Sequence, residues 1–254
     1  MTDSVLRDLE RQFRSSGSSE HEAAWLRARV QSGDLDEGRL ELAGALGHSA
    51  AQIAGFPESE RTSWGRWVDF ADRSAEAQVL VVLALAAEVR PAFEAGEALL
   101  GAPDLFDQGA RALENWLREG SEESLSAIAA LLPQLQNRAP ALYHHFGSSE
   151  EESERGRRAQ DALQVVRCGA ELLLDQHDAL PAGYEIDFEE GDWGDNAELS
   201  VRYLWHEVAQ QALTPNPGRF RVPETETRLL DSIRDRVMPW ALGYDPRQVR
   251  ASGD

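Results

Sequence analysis

The chain contains no lysine; all 25 of its basic residues are arginine. That excludes chemistry built on a lysine amine: the phosphate-cradling lysine of a P-loop, the kinase lysine, a Schiff base and a lysine general base. A single cysteine, Cys168, excludes an internal disulfide and a cysteine-based zinc cluster. Such cysteine usage fits a reducing cytoplasm. Long apolar runs are missing too. The longest, Val79 to Ala87, spans about nine residues, against the roughly 20 that cross a bilayer. The opening MTDSVLRDLERQF has no basic stretch followed by an apolar one, so no signal peptide is expected. The expected location is cytoplasmic, with no membrane partner. Neither a G-x-S-x-G elbow, a Gly-rich phosphate loop nor a GxGxxG after a strand occurs.

Negative charge, by contrast, is abundant. Acidic residues outnumber basic ones 45 to 25, for a formal charge of −20. Such a surface repels phosphates, which argues against a nucleic-acid partner and in favour of a basic protein. At 254 residues and 42% hydrophobic composition, the chain can bury a sizeable core.

Apolar spacing predicts one helix after another. Leu6, Leu9 and Phe13 precede a stop at Gly17. Ser19 and Glu22 form a capping-box pair before Ala23, Leu26 and Val30, and Asp36 opens a third helix that Gly47 closes. Trp64 and Trp67 share a helical face, and Ala75 to Val89 is apolar nearly all round, as an enclosed helix would be. Pro91 is expected to interrupt that helix, and Pro133 to bend or end a later one. Ser149 with Glu152 makes a second capping box, so the GSSEEESE run reads as the solvated first turn of a long helix through Leu174. Beyond Pro181, Tyr184 to Phe188 and Arg219 to Val222 alternate apolar and charged residues, which predicts a small two-stranded β pairing. The expected fold is therefore mostly α: a multi-helix bundle or irregular α-solenoid-like array with a minor two-stranded β element near the C-terminal third. An N-terminal helical domain, 1–140, is expected before a C-terminal region, 141–254, unless the two form one continuous domain.

Glu20 to His48 resembles the bacterial repeat-companion domain family. The matching features are Glu22-Ala23-Ala24-Trp25, the Arg27/Arg29 pair, Gly33, and Leu40-Glu41-Leu42-Ala43 ahead of a Gly-His. The resemblance implies a short helical module of unassigned role and supplies no catalytic residues.

Candidate chemistry is sparse. His206-Glu207 lacks the second histidine of a zincin, because Gln210 occupies that position. His144 and His145 are adjacent and would diverge by about 100° on a helix, so a shared metal would need a loop and a third ligand such as His177. Cys168 lies off the best apolar stripe and has no catalytic signature around it. The most distinctive segment is EIDFEEGDWGDNAE, Glu185 to Glu198, which carries seven carboxylates and no basic residue. Counted from Asp187, Glu198 falls at the twelfth position of an EF-hand loop, but Asp192 stands where that loop needs glycine. No metal, cofactor or catalytic residue is therefore assigned. Asp187, Glu189, Glu190, Asp192 and Asp195, with Trp193 as an aromatic anchor, form the expected contact surface for a basic partner. The expected function is a non-enzymatic helical interaction module, an adaptor, regulator or assembly subunit. An immunity or antitoxin-type inhibitor of a basic toxin and a carboxylate- or metal-dependent hydrolase are the alternatives.

Overall fold

The computed structural model describes residues 3–55, 66–100, 104–141, 149–184, 186, 201, 204–213 and 223–244. They fall into two compact units: Met1–Ser74 together with Arg234–Asp254, and Ala75–Ile233. The division expected after residue 140 lies inside the second of these.

The first unit opens with α1 (Asp3–Ser16), α2 (Ser19–Ser32), α3 (Glu37–Ala45), α4 (Ser49–Gly55) and α5 (Arg66–Ala71). The start of α2 lies one residue earlier than the capping box suggests. Ser18, not Ser19, is the N-cap and accepts from the His21 backbone N–H. At its other end Gly33 takes φ 77°, a left-handed conformation that a side chain would disfavour. Asp36 caps α3 through the Arg39 N–H. Phe13 of α1 stacks on Trp25 at 5.6 Å, and the Arg29 guanidinium lies over the same indole at 4.9 Å. His48 Nδ1 accepts from the Ala51 N–H, and its Nε2 faces Glu22 at 3.6 Å. In α5, Trp67, Val68 and Ala71 are buried, whereas Trp64 lies outside the described residues.

The second unit contains α6 (Ala75–Leu100), α7 (Leu105–Glu119), α8 (Glu122–Ala141) and α9 (Glu150–Gln176). A π-helical segment, Leu204–Ala209, runs into α10 (Gln210–Leu213), and α11 (Pro223–Ala241) follows. The part of α11 from Arg234 onward belongs to the first unit. The centre is α9, against which α6, α7, α8, the π-helical segment and α10 all pack. Every residue from Ala159 to Leu174 except Gln164 is buried. Ser149 caps α9 through the Glu152 N–H, as its sequence predicts. Small residues let the helices approach closely. A methyl built on Gly169 would meet both methyls of Val82, and one on Gly109 would meet Val166.

Both expected proline breaks are corrected. Pro91 lies inside a continuous α6, and α8 runs through Pro133. Proline's fixed φ suits a helix, and its cost is one lost hydrogen bond plus a clash with the preceding turn. Packing on both sides of each proline outweighs that cost: Val89, Ala92 and Phe93 are buried around Pro91, as are Leu132 and Leu135 around Pro133. Phe93 also stacks on Phe106 of α7 at 5.0 Å. The expected β pairing is not seen either. No strand occurs among the described residues; Tyr184 and Ile186 are irregular, and the other positions of the pairing lie outside the described residues. Nor is any helix of the described residues long and apolar enough to cross a membrane.

Candidate functional site

The long helix α9 has two faces. Its apolar face carries Ala159, Leu163, Val166, Ala170 and Leu173. A second stripe, Arg157, Gln160, Asp161, Gln164, Arg167, Cys168 and Glu171, recurs at the same spacing of three and four, and most of it is buried as well. Buried polar groups are costly unless paired, so each partner matters. Arg157 binds Asp161 at 2.5 Å and Glu154 at 2.9 Å. Glu171, only 1% exposed, lies 3.7 Å from Arg167 Nε and accepts from the Tyr184 hydroxyl at 2.5 Å. The Gln160 amide and the Gln210 amide nitrogen, on contacting helices, are buried with no hydrogen-bond partner among the described residues. Each such group costs about 1–3 kcal/mol.

These surroundings shift titrations. Burial pushes the Cys168 thiol up to about 12; the negative charge of Glu171 adds to this and Arg167 opposes it. Tyr184 is raised by burial and by its hydrogen bond to Glu171. Burial opposes the charge on Arg167, but Cys168 and Glu171 beside it raise its pKa on balance. Cys168 is thus a buried thiol, not a nucleophile. In native protein at pH 8 it is expected to resist a thiol-reactive disulfide and to react fully once unfolded. Prompt native reaction would contradict its burial. Both raised groups keep a proton when folded that the unfolded chain releases. Their stabilisation is therefore complete below about pH 9, where an unfolded thiol ionises, and is lost as pH rises toward 12.

Val201, beyond the acidic segment in the chain, is fully buried. Asp187, Glu189, Glu190, Asp192, Trp193 and Asp195 all lie outside the described residues, as do His144 and His145. His177 sits edge-on to Trp116 at 5.5 Å, just past the end of α9. Among the described residues, no group of three or more His, Cys, Asp or Glu side chains could hold a metal ion.

The arginines follow a pattern that the sequence does not display. Arg27 donates to the Ile53 and Ala54 carbonyls at the end of α4, and Arg234 Nε to the Leu46 carbonyl at the end of α3, at 2.7 Å. Arg39 and Arg29 reach the Trp240 and Leu242 carbonyls at the end of α11, the second at 2.6 Å. Arg158 donates to Ala212 at the end of α10, at 2.8 Å. Helix C-termini present unpaired carbonyls and a partial negative charge, which a guanidinium with several donors satisfies. Carboxylates take the opposite ends: Glu20 and Glu22 on α2, Glu122 and Glu123 on α8, Glu150 to Glu152 on α9, and Glu224 and Glu226 on α11. Five arginines thus bond backbone carbonyls at helix ends, whereas Glu20, Glu122, Glu123, Glu150, Glu151 and Glu224 are exposed.

The chain matches no family model, no curated protein and no solved structure.

Proposed function

We propose that this chain is a non-enzymatic helical interaction module, an adaptor, regulator or assembly subunit, that presents an acidic face to a basic partner protein. One observation supports this reading above the others: helix N-termini carry exposed carboxylates, Glu20, Glu122, Glu123, Glu150, Glu151 and Glu224, on a chain of net charge −20, a surface that attracts a basic partner. In the sequence, the segment from Asp187 to Asp195 is the densest run of carboxylates, with Trp193 as its aromatic anchor.

The test is capture of partners from a lysate of the chain's own cells, at low and high salt. Wild type is compared with a variant carrying Asp187→Asn, Glu189→Gln, Glu190→Gln, Asp192→Asn and Asp195→Asn. The expected result is one basic chain held by wild type at low salt, released as salt rises, and absent from the variant. Charge attraction is screened over about 8 Å at physiological salt, so release should be graded. The same chains held equally by both proteins would contradict the proposal.

A further inference from the structure

A cleft of about 350 Å³ lies in the second unit, lined by residues of α6, α9, α10 and α11. Its charge is opposite to that of the chain. Among the described residues, Arg155, Arg158 and Arg228 line it, against a single carboxylate, Glu88. We propose that the cleft binds a small organic oxyanion, a carboxylate or phosphate monoester with a short apolar body. This is independent of the acidic face.

The pairing of each guanidinium supports the assignment. Arg228 Nε lies 3.0 Å from Glu88 Oε2, so that carboxylate is already committed. Arg155 faces Glu151 at 3.9 Å, but Glu151 is 84% exposed, and contacts of that kind contribute little in water. Arg158 donates to the Ala212 and Leu213 carbonyls, which are neutral, and among the described residues no carboxylate offsets its charge. Among the described residues, the cleft therefore holds an excess of positive charge. Its arginines are reachable: the side chains of Arg155 and Arg228 are 46% and 55% exposed.

The walls define the rest of the ligand. Pro91, Ala92, Ala95 and Leu213 give a small apolar surface, and the short alanines leave the space open. Pro91 has no N–H to give the carbonyl of Ala87, four residues before it, and both residues face the cleft. The volume is at the low end of ligand pockets, which suits a single ring or short chain bearing one oxyanion. A guanidinium fork matches the paired oxygens of either a carboxylate or a phosphate.

Titration calorimetry of the full chain at constant ionic strength tests this, with phenyl phosphate and benzoate as probes. Arg155→Gln, Arg228→Gln and Glu88→Gln are compared with wild type, and the exposed α7 arginine variant Arg111→Gln serves as control. At least one probe is expected to bind saturably, with affinity about tenfold lower in Arg155→Gln and Arg228→Gln and unchanged in Arg111→Gln. Glu88→Gln should bind more tightly, because a competing carboxylate is removed, a gain that general structural damage would not produce. A preference for phenyl phosphate would assign the site to phosphate monoesters, and one for benzoate to carboxylates. No saturable binding of either probe, equal affinity across the variants, or weaker binding by Glu88→Gln would overturn the proposal.

Discussion

Gly96→Ala is expected to destabilise the second unit by about 3 kcal/mol, although alanine is the better helix former by about 1 kcal/mol. The reversal comes from a backbone contact. A Cβ built on Gly96 would sit 2.7 Å from the carbonyl oxygen of Arg155 and 2.5 Å from the Cβ of Ala159. A flexible side chain could turn away from such a contact, but the backbone of a buried helix cannot. Accommodation would require α6 and α9 to separate, loosening the most extensive helix pairing in the unit. Gly120→Ala is the comparison. Its Cβ would meet nothing within 4 Å, so only the strain of a left-handed φ of 60° remains, about 1–2 kcal/mol. Urea denaturation of the two variants checks this. If Gly96→Ala is neutral or stabilising, the close approach of α6 to α9 is refuted.

Glu171→Ala should cost about 3–5 kcal/mol, because one truncation takes the carboxylate from the buried Arg167 and the acceptor from the half-buried Tyr184 hydroxyl. Arg167 would keep its charge with its side chain 10% exposed, and the Tyr184 hydroxyl would lose its acceptor. Glu171→Gln should cost less, since an amide oxygen can still accept from Tyr184. The double variant Arg167→Met/Glu171→Leu removes both charges and should recover most of the loss, because a buried ion pair and its apolar replacement are often similar in stability. Midpoints and slopes from urea denaturation give the cycle directly. If the single and double losses simply add, the two side chains do not act as a pair.

The helices were legible from the sequence because apolar spacing and capping side chains act locally. Asp36 and Ser149 cap the helices that their neighbours suggest, and Gly33 and Gly120 end helices in left-handed conformations. Local rules failed where tertiary packing outweighed them. Pro91 and Pro133 read as breaks, but buried neighbours on either side hold α6 and α8 continuous. The polar stripe of α9 is hidden in the sequence by the stronger apolar stripe beside it. Arg157, Gln160, Asp161, Gln164, Arg167 and Glu171 recur at helical spacing as they would on a solvated face, and only the packing shows that this face is largely buried. The arginine cleft and the helix-end arginines could not be read this way. They join residues far apart in the chain, as with Arg234 and Leu46, and one-dimensional patterns do not bring such pairs together.

The most direct test of the proposed role is the affinity of the captured basic chain, purified, for three forms of this protein. They are wild type, Asp192→Asn/Asp195→Asn and Trp193→Ala, each titrated at low and physiological salt. The account predicts that the charge variant binds several-fold more weakly with a shallower salt dependence, and that Trp193→Ala weakens binding at both salts, as loss of an aromatic anchor does. Equal affinity and equal salt dependence in all three would contradict it.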